Sequence, residues 1–267
     1  MSSIKKISMI ALVLLLVGAA GSLLTFRSAN KEVSVSEEKV IDNKNITAIQ
    51  LETGNVHVEV APTKDTVTKI QLSGKGTTET KQIFTANVEG TTLFIKLKEQ
   101  QLKIFNFFPR SESLTLKVSL PEKQYASMQI DNNNGVVQIQ QLNIKDVKAT
   151  TDNGSIELKN IPSTTVNVES DNGKLSLDHV DGTINGKTNN GKISVVTKQL
   201  DRPMQLTSDN GNIIIRTEEE PTNVTFNVRV DNGHINILDK YTGNAVIGKG
   251  DNLIKLATDN GEITVTK

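Results

Sequence analysis

The sequence predicts an all-β chain wound into a β-solenoid. The form expected is a right-handed, single-stranded β-helix with coils of about 19–20 residues and an irregular N-terminal cap. Three observations predict it. First, an Asx-Asn-Gly tripeptide recurs seven times in the second half: Asn133-Asn134-Gly135, Asp152-Asn153-Gly154, Asp171-Asn172-Gly173, Asn189-Asn190-Gly191, Asp209-Asn210-Gly211, Asp231-Asn232-Gly233 and Asp259-Asn260-Gly261. The glycines step by 19, 19, 18, 20, 22 and 28 residues. Second, positions two and four after each glycine are apolar in every copy, from Val137 and Ile139 to Ile263 and Val265. Third, apolar residues also stand seven and five before most of the glycines, as in Val147/Ala149 and Val166/Val168. A period of two on both flanks describes strands with one buried face.

Between the flanks lies a corner. Position three before glycine is Asn132, Thr151, Ser170, Thr188, Ser208, Val230 or Thr258, and a small polar side chain there can bond a local backbone group. Asn and Gly are expected because a tight corner needs positive φ. Strand-Asn-Gly-strand also fits a row of hairpins. Constant coil length favours a parallel stack, in which the asparagines lie one above another as a hydrogen-bonded ladder. Leu142, Ile161 and Val180, each seven after a glycine, predict a third inward face after a second bend. Right-handedness follows from the rule for parallel crossovers. Outward residues such as Lys174, Ser176, Lys192, Ser194, Asn212, His234 and Asn236 would form a long face, either solvated or used for recognition.

Taken from the N-terminus, residues 1–27 read as a membrane anchor. Ile7 to Phe26 is an apolar run long enough to span a bilayer, which makes the membrane a partner through residues 7–26. Lys5 and Lys6 precede it and would hold the N-terminus in the cytoplasm, placing the body outside. A cleavable signal peptide is the rival, with small residues at Gly18-Ala19-Ala20. Residues 28–45 are polar and read as a linker. Residues 46–267 form the β-solenoid domain: 46–125 as irregular coils or a cap, with a separate β-sandwich as the alternative, and 126–267 as the regular repeats. In the irregular part, Val56 and Val58 stand two and four after Gly54. Phe105, Phe107, Phe108 and Arg110 lie between strands and either plug the end of the core or project toward lipid or a partner protein.

Composition narrows the chemistry. Lys plus Arg equals Asp plus Glu at 30 each, and aromatic residues make up 3%, so neither a basic patch nor a stacking surface argues for nucleic acid. No cysteine means no disulfide, thiolate metal site or cysteine nucleophile. The turn aspartates alternate with Asn133 and Asn189, so a carboxylate is not required there. Their spacing also departs from the glycine-rich nonapeptide of calcium-binding solenoids. His57, His179 and His234 accompany no nucleophile motif. No catalytic, cofactor or metal site is expected.

Leu120-Pro121 followed by the repeats resembles the DUF4097 family of adhesin-like proteins across roughly residues 46–267. Thr151-Asp152-Asn153-Gly154-Ser155-Ile156 and Thr258-Asp259-Asn260-Gly261-Glu262-Ile263 carry the resemblance best. With one N-terminal membrane segment, the chain is similar to LiaG-like members. The resemblance implies an extracytoplasmic solenoid linked to envelope stress and supplies no catalytic residues. The expectation is a non-enzymatic binding, scaffold or adhesin-like protein of the cell envelope, single-pass or secreted. Its partner would be an envelope protein or a cell-wall polymer. The alternative is a secreted carbohydrate-active β-helix enzyme. Function is expected where the repeat breaks, at Phe105–Phe108 and at Tyr241–Asn252.

Overall fold

A computed structural model describes residues 3–29, 32–77, 80–101 and 113–267, with helix side chains at Lys5 and residues 8–22. Helix α1 (Ser3–Ala29) leads into seven strands. These are β1 (Glu32–Ile41), β2 (Ala48–Asn55), β3 (His57–Thr63), β4 (Thr68–Thr77), β5 (Thr80–Glu89), β6 (Thr92–Gln101) and β7 (Ser113–Pro121). The repeats supply β8 (Gln124–Gln140), β9 (Asn143–Ile161), β10 (Thr165–Asn172), β11 (Leu175–Val180), β12 (Thr183–Asn190), β13 (Ile193–Thr197), β14 (Met204–Asn210) and β15 (Ile213–Thr217). Then come β16 (Val224–Ile237), β17 (Ala245–Ile247) and β18 (Asn252–Thr266).

The corners do not fold into hairpins. Each coil pairs in parallel with the coil beside it, as β8 does with β9 from Gln124↔Asn143 to Gln140↔Lys159. Two parallel ladders result. The strands before the corner stack as β2, β8, β9, β10, β12, β14, β18, β16. Those after it stack as β3, β8, β9, β11, β13, β15, β18, β16. Long strands β8, β9, β16 and β18 run through the corner and join the ladders into one sheet around one core. That core runs from Ile46 to Val265 and contains the expected pairs, along with Leu142, Ile161 and Val180 of the third inward face.

The asparagine ladder is continuous. Amide nitrogens donate from Asn232 to Asn260, then to Asn210, Asn190, Asn172, Asn153 and Asn134, at 2.9–3.0 Å. Asn134 donates to Asn55, whose own amide reaches Glu99 Oε2 at 3.3 Å. All these amides point one way, so a carboxylate accepts at the donor end of the row.

Positive φ accounts for only some of the motif glycines: Gly135, Gly211, Gly233 and Gly261 have φ of 125–159°, whereas Gly154, Gly173, Gly191 and the motif asparagines lie outside that region. A Cβ on Gly173 would instead lie 1.5 Å from the carbonyl oxygen of Gly154. Neighbouring coils approach so closely that only a residue without a side chain fits. The polar residue three before glycine seals the same contact, but not locally. Ser170 donates to Gly154 O, Thr188 to Gly173 O and Ser208 to Gly191 O, at 3.1–3.2 Å on the adjacent coil. Left-handed backbone appears at the second bend, where Gln141, Asn160 and His179 have φ of 52–55°. Asn and His tolerate that region better than most residues.

Two N-terminal readings change. Asn55 stacks on Asn134 and Val58 pairs Val137, so the first coil is shifted two residues from the Gly54 alignment and Val56 takes the glycine position. A two-residue shift preserves alternation, which hides it from a period-two pattern. Residues 28–45 are more than a linker: β1 pairs antiparallel with β4 from Glu32↔Thr77 to Ile41↔Thr68. Glu37, Glu38 and Lys39 charge this outer strand, a common means of discouraging further pairing.

Candidate functional site

Phe105, Phe107, Phe108 and Arg110 lie outside the described residues. The other break, Tyr241–Asn252, carries β17, which lies antiparallel to β16 over Val224–Phe226. Val246 is exposed there and Tyr241 partly so. The motif residues Asn134, Asn153, Asn172, Asn190, Asn210, Asn232 and Asn260 bond one another, and their glycines pack coil on coil, so both columns serve the stack.

The turn aspartates do not gather into a site. Asp171 accepts from Asn189 and Asp231 pairs with Arg229. Among the described residues no group of three or more metal-ligating side chains is placed to hold an ion. His57 Nε2 lies 3.1 Å from Glu59 Oε1, and His179 lies between two carboxylates. Its Nδ1 lies 2.6 Å from Asp178 Oδ1 and its Nε2 lies 3.0 Å from Glu218 Oε1, with Lys159 3.3 Å from Asp178. Hydrogen bonding to Asp178, then to Glu218, raises the imidazole above its ordinary 6.5. The group bridges coils at an exposed second bend, and no hydroxyl or thiol nucleophile joins it.

A pocket of about 340 Å³ lies at the base, beside Ile46, Lys123 and Tyr125. Its tyrosine and one of its lysines are already engaged. Tyr125 Oη donates to Pro121 O, and burial pushes the phenol up to about 12. Lys123 donates to Lys44 O and lies 5.3 Å from the Tyr125 ring centroid.

The larger concavity, about 460 Å³, is an open groove on the outer face of β9, β10, β12 and β14. The face foreseen from Lys174, Ser176, Lys192 and Ser194 belongs to the other side of the coil. The groove is lined instead by Lys148, Asn167, Asn185, Lys187 and Gln205, with Glu169 as its carboxylate. Lys187 Nζ lies 3.3 Å from Glu169 Oε1. A signal for this face was present in the sequence. Position six before glycine is Gln129, Lys148, Asn167, Asn185, Gln205, Asn227 or Lys255, a carboxamide or a lysine in every copy.

The Toastrack DUF4097 family matches residues 46–181 and again 131–266, which together take in the whole stack. This chain belongs to that family. Toastrack domains have a β-solenoid-like fold, in keeping with the two ladders. Two solved structures are similar. One is described as a "putative cell adhesion protein" from Clostridium sporogenes, 13% identical, covering 88% of this chain and 99% of that one with a TM-score of 0.46. The other is described as a "putative adhesin" from Bacteroides fragilis, 11% identical, covering 89% and 98% with a TM-score of 0.42. No curated protein matches the chain.

Among the described residues no helix is long and apolar enough to cross a membrane. The described side chains of α1 at residues 8–22 are all exposed, and the apolar run of the sequence continues past both ends of that stretch, to Ile7 and Phe26.

Proposed function

We propose that this Toastrack protein is a non-enzymatic, adhesin-like binding module of the cell envelope. In this reading residues 7–26 tether it to the membrane, and residues 46–267 stand outside the cytoplasm as one solenoid. The supporting observation is the outer groove. It is open, repetitive and lined by carboxamides and amines, and its carboxylate, Glu169, is paired with Lys187. Long concave faces built from stacked units are the surfaces by which repeat proteins bind extended partners. The described large apolar side chains of α1 from Met9 to Val17 are more than half exposed, which supports a bilayer around them. Response to envelope stress belongs to this reading through the LiaG-like resemblance.

Two measurements test it. Protease shaving of intact cells should digest the solenoid, whereas protection would place it inside. Purified protein should co-sediment with isolated envelopes and release no product from their glycans. Turnover abolished by one carboxylate substitution would establish the carbohydrate-active enzyme instead.

A further inference from the structure

We propose that the outer groove binds an extended acidic polysaccharide; the proposal rests on the reading of the chain as a binding module and names its ligand. The floor is a single column. Lys148, Asn167, Asn185, Gln205, Lys255 and Asn227 are register partners on successive strands. At a strand spacing of about 4.8 Å the column runs on the order of 24 Å. Smaller depressions of about 200 and 160 Å³ flank the main one toward β16 and β18, and all three share Gln205. The concavity is therefore a furrow along the stack, suited to a linear chain rather than to a compact ligand enclosed on most sides.

The furrow has an internal cause. On the buried face, the inward residues between Ile130 and Leu206 are Ala149, Val168 and Gly186. Short inward side chains let the sheet settle toward the core at these coils. A Cβ on Gly186 would lie 2.9 Å from Leu206 Cδ2, so even a methyl there would make that leucine shift.

Charge and hydrogen bonding select the ligand. The chain has no formal net charge, yet the furrow holds Lys148, Lys187, Lys255 and Arg229. Glu169 offsets Lys187, and Asp231 offsets Arg229. Lys148 and Lys255 pair with no carboxylate among the described residues. Between them Asn185 Nδ2 donates to Asn167 Oδ1 at 2.9 Å. This leaves the Asn167 amide as donor and the Asn185 carbonyl as acceptor, a pair that suits the neighbouring hydroxyls of a sugar. No aromatic ring lines the furrow, so nucleic acid bases would find nothing to stack on. A polymer carrying both hydroxyls and spaced negative charges satisfies both sets of groups.

The test uses the full chain in detergent micelles and polygalacturonate as probe, with dextran as the uncharged polymer and inorganic polyphosphate as the polyanion without hydroxyls. Polygalacturonate should bind, and added salt should weaken it. Dextran and polyphosphate should each bind at least tenfold more weakly. Lys148→Glu with Lys255→Glu should lose at least tenfold. Asn167→Ala with Asn185→Ala should lose several-fold. All four positions are exposed, so thermal melting should not change. Equal binding of dextran, of polyphosphate or of single-stranded polynucleotide overturns the proposal, as does wild-type binding by the lysine variant. If envelopes still co-sediment while polygalacturonate does not bind, the furrow assignment fails and the binding-module reading stands. If neither binds, both fail.

Discussion

The middle of the stack and its two ends are built by different rules. From β9 to β15 each coil lies on the one before it in sequence, at 18 to 20 residues per coil. At both ends that order is exchanged. β6 and β7 come later in the chain than β2 and β3, yet they pair outside them. β18 ends the chain, yet it lies between β14/β15 and β16. Antiparallel strands then cover the outer coils: β5 on β6, β4 and β1 beyond β7, and β17 on β16. A repeat can extend itself but cannot stop, because its last coil would always offer an open ladder. Stopping takes sequence outside the repeat. The glycine spacings of 22 and 28 are its trace, since the chain passes to β16, turns through β17 and returns to insert β18.

The largest effect should come from removing the inserted coil. Truncation after Gly250 deletes Ile254, Leu256, Ile263 and Val265, all at most 1% exposed. At about 1.5–3 kcal/mol for each buried aliphatic, the loss should be on the order of 6 kcal/mol or more, enough to unfold the neighbouring coils. Hydrogen exchange should show β14–β16 unprotected. Retained protection there would mean that β16 can close directly on β14 and β15.

Next comes the glycine contrast. In the middle, Gly173→Ala places its Cβ 1.5 Å from a backbone oxygen that cannot swing aside. The loss should reach about 3 kcal/mol in denaturant unfolding. At the N-terminal end, Gly54→Ala meets nothing within 4 Å and should stay within about 0.5 kcal/mol. Equal losses at the two sites would contradict the close approach between middle coils.

The smallest effect concerns His179, which ties the coil of β11 to Glu218 just beyond β15. Its pKa is raised by Asp178 and then Glu218, so its protonated form is favoured in the folded state. That contribution is fully present below the ordinary 6.5 and is lost as pH rises through the raised value. It should be small, because the pair is exposed and screened. Melting temperature should fall slightly from pH 6 to pH 9, and His179→Gln should flatten the slope. An unchanged slope would detach the cluster from stability.

Much of this was legible in the sequence because it repeats. Parallel stacking, the asparagine row, the apolar pairs and the third inward face all follow from offsets to glycine. What was missed shows where offsets fail. The first coil slipped by two residues because alternation is blind to an even shift, and β1 passed as linker because its partner, β4, lies more than thirty residues away on average. The groove column was visible as a string of carboxamides and lysines, but nothing in a linear string says that this face is concave.

The sequence alone determined the coil: its length, which side faces in, and where the glycine falls in each repeat. These are local matters of period and volume, written afresh in each copy. Tertiary structure alone decided the order of the end coils, the crowding of Gly173 by the carbonyl oxygen of Gly154, and the furrow over Gly186. Each depends on which strand lies beside which, and that is set by packing between coils rather than along them.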